Sequence, residues 1–112
     1  MTIDLTTLSE EDRKLFTLAR ATKVRNNVVQ GAAVRDISGR TYTATLVVLE
    51  SLNLDALQSV IAAAVSSGAI GLEAGVVVGH MPSPAARVAF FEFAGAISLW
   101  HEDEIGRVQL VN

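Results

Sequence analysis

The chain has 112 residues, half of them hydrophobic, a formal net charge of −3 and no cysteine. That length suits one domain, 1–112, with a real core. The hydrophobic share excludes disorder, and the mild acidic balance leaves no electrostatic footprint for nucleic acid. Without cysteine there is no disulfide framework and no thiolate metal site, which fits a reducing compartment. The polar, acidic start MTIDLTTLSEED is unlike a secretory signal. The longest apolar run, VIAAAV at 60–65, falls far short of the roughly 20 residues that span a bilayer. No membrane partner is expected, and the composition reads as that of a soluble cytoplasmic protein.

Ser9 followed by Glu10, Glu11 and Asp12 marks a helix start, since the hydroxyl caps free N–H groups and the acids suit the positive end of the helix dipole. Leu8, Leu15, Phe16 and Ala19 recur at helical spacing, which predicts a helix over 10–25 that Asn26-Asn27 breaks. VVQGAAVRD predicts a strand, Ile37 to Arg40 a turn around Gly39, and Thr41 to Val48 a second strand, so the two form a hairpin. Asn53 or Asp55 opens a second helix, LDALQSVIAAAVSSG, stopped by Gly68. Val60 to Val65 are apolar on every side, as in a helix surrounded by protein. EAGVVVGH predicts a strand buried on both faces, MPSP a turn, and Ala85 to Ala94 a third helix ended by Gly95. AISLW is a fourth strand, Glu102 to Gly106 a charged turn, and Arg107 to Val111 a fifth strand. The order α-β-β-α-β-α-β-β implies a three-layer α/β fold on a mixed five-stranded sheet.

With the elements in this order, three stretches resemble one family. They are QGAAVRDISGRTYTA at 30–44, DALQSVIAAAVSSG at 55–68 and PSPAARVAFFEF at 82–93. The chain is similar from about residue 10 to residue 111 to the small, single-domain cytidine deaminases. Their corresponding segments read roughly VGAALLTxDGRxYTG, CAERTALFKAVSEG and PCGACRQVLxEF. The resemblance implies the cytidine-deaminase-like three-layer fold. It also implies a zinc ion that lowers the pKa of a bound water, with a Glu that shuttles protons.

Residue by residue, the resemblance puts the first zinc ligand at Asp55, the proton-shuttling Glu at Leu57, and the two cysteine ligands at Ser83 and Ala86. An alanine offers no donor, a serine hydroxyl is a poor zinc ligand, and a leucine transfers no proton. The family's ribose contacts fall at Leu46 and Val48, and a Phe that packs on the base falls at Val28. A buried ribose hydroxyl facing such side chains loses about 1–3 kcal/mol per unsatisfied group. What matches instead is turn and packing residues: Gly31, Ala32, Ala33, Gly39, Tyr42, Gly68, Pro82, Arg87, Glu92 and Phe93. No metal site and no cofactor are expected. The lost positions should be closed by apolar packing, with Leu57 and Leu46 in or beside the core.

Other candidates have plainer readings. His80 with Asp55 and Ser83 is a metal group short of donors, read as a polar pair at a strand end. His101 reads as solvated, Glu102, Asp103 and Glu104 as loop surface, Arg87 and Glu92 as third-helix residues that pair with surface neighbours at little gain, and Trp100 as core or interface packing. Three function classes remain. The first is a non-catalytic structural or interaction protein, the second a binder of a more apolar small molecule in the old cleft. The third is an enzyme, a deaminase with an unorthodox site or another hydrolase, for which no nucleophile–base pair or metal cluster is legible. The apolar second helix, with Ala62, Ala63 and Ala64, and the resemblance together imply a homotetramer, with a dimer as the fallback.

Overall fold

The computed structural model describes residues 2–112. After a short 3-10 turn at Leu5–Thr7, helix α1 runs Glu10–Asn26, with the Ser9 hydroxyl accepting from the Asp12 N–H as foreseen. Asn27 ends it in the left-handed region, at φ 52°. Strand β1 (Gln30–Asp36) and strand β2 (Thr41–Thr45) form the hairpin. The chain then leaves the main sheet. Strand β3 (Val47–Val48) pairs with β4 (Asn53–Leu54), a small ribbon where one continuous second strand was expected. Helix α2 spans Ala56–Ser66, β5 Leu72–Gly79, α3 Pro84–Ala94, β6 Ser98–Glu102 and β7 Val108–Leu110.

The five-stranded sheet has the order β2-β1-β5-β6-β7. Only β5 and β6 are parallel, with α3 as their crossover, so the sheet is mixed. Helices cover both faces. Leu15, Phe16 and Ala19 of α1 pack on Ala33, Val76, Val78 and Trp100, and α2 and α3 pack on Ala32, Val34, Val77 and Leu99 from the other side. The central strand β5 therefore alternates between two cores and reads as an unbroken apolar run. Trp100 lies in the α1 core, its ring 5.9 Å from that of Phe16. At Gly31 a β-carbon would come within 2.7 Å of the Ala19 carbonyl oxygen, so the glycine lets α1 lie close on the sheet.

Within the single chain helix α2 is buried on one face only. Leu57, Val60, Ile61 and Ala64 are buried, while Ala62, Val65 and Ser66 are exposed and Ala63 is half-buried. It has one face on the sheet and one free apolar face. No helix of the described residues is long and apolar enough to cross a membrane.

Candidate functional site

The C-terminal ends of the parallel strands β5 and β6 mark where open α/β sheets place ligands. Here β5 ends at Gly79, whose φ of +93° and close approach to the Val29 carbonyl exclude a side chain. The chain then turns through His80 to Pro82 into α3. The starts of α2 and α3 meet at this end and share a single carboxylate.

Asp55 caps α2. Its Oδ1 accepts the Gln58 N–H at 2.8 Å while the Gln58 side chain accepts the Asp55 N–H at 2.9 Å, a reciprocal capping box. Its Oδ2 accepts the Ser83 N–H, also at 2.8 Å, at the cap of α3. The Ser83 hydroxyl in turn accepts the Ala86 N–H at 3.1 Å. Gln30, 3% exposed, completes the network from below. Its Oε1 accepts the Ala56 N–H at 2.8 Å, and its Nε2 donates to the His80 carbonyl at 3.0 Å.

Leu57 and Ala86 are both fully buried and belong to the core between the sheet and α2 and α3. Asp55, Leu57, Ser83 and Ala86 thus lie at the starts of α2 and α3. Their chemistry does not fit a zinc ion. Both Asp55 oxygens face backbone N–H groups, the Ser83 oxygen is already an acceptor, and Ala86 brings a methyl group to a site that wants four N, S or O donors. Among the described residues no group of three or more His, Asp or Glu is placed to hold a metal.

Val28, Leu46 and Val48 come together with Val29 around an open groove of about 390 Å³. Leu46, expected in or beside the core, is not one of its buried members. It is half-buried on this groove, because the chain leaves β2 at Thr45 and carries Leu46 outward. Val48 is 67% exposed.

His80 does not turn to Asp55. Its ring meets Glu104, Nε2 to Oε1 at 3.1 Å, with both side chains largely exposed. His101 is buried, not solvated, because β6 runs two residues beyond the expected end. It lies 4% exposed, its Nε2 2.7 Å from the Gly79 carbonyl oxygen. Glu102 is likewise no loop residue: it takes a two-point contact from the Arg20 guanidinium, with Nε to Oε2 at 2.8 Å. Arg87, expected to pair with a surface neighbour, has its Nε buried without a hydrogen-bond partner among the described residues.

Sequence reasoning passed over Gln30 and Gln58. The Asp-x-x-Gln spacing from Asp55 to Gln58 is a capping-box signal and was there to be read. Gln30 had one sign: a polar side chain where the resembling segments begin with Val.

The architecture and the junction define a protein of the nucleoside-deaminase type of fold. A family profile described as cytidine deaminase-like matches residues 8–106, and the chain belongs to that family. Among solved structures it is similar to cytidine deaminase from Mycobacterium leprae, at 26% identity and a TM-score of 0.69, over 88% of this chain and 91% of that one. It is also similar to cytidine deaminase from Mycobacterium tuberculosis, at 25% identity and a TM-score of 0.60, over 94% and 89%. The cytidine deaminase from Burkholderia pseudomallei superposes with a TM-score of 0.80 over 94% and 93%, and at 20% identity supports the fold alone. No curated protein sequence matches significantly.

Proposed function

We propose that this chain is a non-catalytic member of the cytidine deaminase-like family, acting as a structural or interaction protein, assembled from several copies and without zinc. One observation carries the reading. At Leu57, where the resemblance puts the proton-shuttling Glu, stands an aliphatic side chain with no solvent exposure. It has no proton to give and is shut off from solvent. The positions proposed as former zinc ligands support it: Asp55 and Ser83 accept helix N–H groups instead, and Ala86 offers no donor atom to a metal. A cytoplasmic setting is part of the proposal and rests on the cysteine-free composition.

The Val28–Leu46–Val48 groove favours a second reading, a binder of an apolar small molecule. Aliphatic walls replace the polar contacts a ribose needs, and the volume lies within the range of ligand pockets. A melting screen against nucleosides, aliphatic ligands and divalent metals, beside an absorbance assay with cytidine and deoxycytidine, separates the readings. The first predicts no turnover, no bound zinc and no shift. A ligand at 100 times its Kd stabilises by about 2.7 kcal/mol, roughly 10 °C here, and such a shift with an apolar compound selects the second. Turnover dependent on Asp55 overturns both.

A further inference from the structure

The junction raises a physical question. The starts of α2 and α3 each leave backbone N–H groups unpaired and each carry about half a positive charge. Brought together they repel, and something must hold them. In a zinc cage of the deaminase kind the ligands bring the negative charge and the metal brings the cross-link. Here the ligands are missing while the two helix starts remain in contact.

We propose that the Asp55 carboxylate, braced by the Gln30 amide, has taken over the metal's structural task and is the cross-link between α2 and α3. One unit of negative charge faces two helix ends that together carry about one unit of positive charge, so the junction is close to neutral without a cation. The geometry matches. One oxygen takes an α2 N–H and the other the N–H at the α3 cap, each at 2.8 Å, and charge-assisted bonds of this kind are the strong ones. Gln30 ties the same two elements to β1. It accepts from Ala56 at the first residue of α2 and donates to the His80 carbonyl in the turn that leads into α3. Ser83 closes its own helix end. The three polar residues Gln30, Asp55 and Ser83 form one connected set at the places where the resembling segments have Val and metal ligands. A metal at Asp55 would compete with two helix N–H groups for the carboxylate that now holds the helices. The inference rests on the zinc-free reading of the site but not on the absence of activity.

Melting curves of the wild-type chain with a strong chelator, with added zinc, and of Asp55→Asn, Asp55→Ala and Gln30→Leu test it. Wild type should melt at the same temperature in all three metal conditions. Asp55→Asn keeps one acceptor and puts an NH₂ group against the second N–H, and Asp55→Ala removes both acceptors. Drops of roughly 5 °C and roughly 10 °C are expected. Hydrogen exchange should speed up at the Ser83 and Gln58 amides before it does so in the sheet. Asp55→Asn and Gln30→Leu should be non-additive, since both act on one junction. A wild-type melting point that falls in chelator or rises with stoichiometric zinc overturns the proposal. So does an Asp55→Ala protein that melts like wild type. Turnover in the cytidine assay with metal-independent melting would instead sink the non-catalytic reading and leave this one standing.

Discussion

At the scale of the residue, Leu57 decides more than any other position. Its side chain is fully buried on the α2 face that meets the sheet, among Val34, Val60, Val77 and Phe90 of the same core. Replacing it with Glu restores the chemical group of a deaminase but not its surroundings. The core around it is apolar, and the Gln30, Asp55 and Ser83 side chains are already engaged at the helix caps. A buried, unpaired carboxylate costs about 3 kcal/mol or more. Leu57→Glu should therefore lower the melting temperature by more than 10 °C and give no turnover. A variant that melts like wild type would show the junction open to water and favour the ligand-binding reading. Leu57→Met, which conserves volume and apolarity, should cost less than about 1.5 kcal/mol and serves as the control.

At the scale of the element, the β1–β2 hairpin is organised by one buried acid. Asp36 is 1% exposed and accepts from the Ser38 N–H and hydroxyl, the Arg40 N–H and guanidinium, and the Tyr42 hydroxyl. Burial alone would raise its pKa. The bonds from Ser38, Tyr42 and Arg40 outweigh burial and hold it well below the ordinary 3.8. The Tyr42 hydroxyl, donating to Asp36, is pushed above its ordinary 10.0. The signs set a window. Asp36 binds its proton less readily folded than unfolded, so its contribution is full above about pH 4 and is lost as the pH falls from there toward the depressed folded value. Tyr42 holds its proton more tightly when folded, so its contribution is full below about pH 10 and is lost as the pH rises through the folded value. Asp36→Asn should lower the melting temperature clearly between pH 5 and 9. The gap to wild type should shrink as the pH drops below about 4, and a gap of constant size down to pH 2 would contradict the assignment.

The same hairpin shows what the sequence could and could not tell. The turn around Gly39 and the strand at Thr41 were legible because turn chemistry and β-branching are local. The end of β2 was not. Thr45 pairs with Gly31, one residue from the start of β1 at Gln30, so the strand runs out of partner and the ribbon at Val47 begins. Partner length is a tertiary fact. For the same reason His101 and Glu102 looked like loop residues: their charge suggested solvent, while β6 in fact continues between β5 and β7. The candidate site divides along the same line. Which residues stand at the junction could be read from motif spacing, but that Asp55 reaches across to the Ser83 N–H depends on how two helices far apart in sequence are placed.

At the scale of the whole molecule, the open question is what covers the apolar surface. Ala62 and Val65 lie exposed on the outer side of α2, Val48, Leu49 and Leu52 are exposed around the β3–β4 ribbon, and Val88 is exposed on α3. Scattered apolar side chains need no explanation, but three separate elements showing them is more than one patch. A dimer needs one self-complementary face, whereas a closed tetramer needs more than one, and this chain has several to offer. A standard interface removes about 800 Å² from each partner, a modest part of the 6136 Å² this chain exposes, so two such faces fit on its surface. The small side chain of Ala62 suits close approach of a second α2. A homotetramer is therefore the expected state in light scattering at micromolar concentration, with a dimer as the smaller alternative, and a monodisperse monomer would refute the assembly. Ala62 is the position to alter, because Ala63 is half-buried against its own fold and a charge there would disturb both. Ala62→Glu puts a like charge on each copy at the proposed contact. It should reduce the assembly by at least one step, with a circular dichroism spectrum unchanged in dilute solution. Dissociation accompanied by unfolding would mean that the subunits cannot stand alone, and an intact tetramer would move the contact away from α2 to the ribbon around Val48.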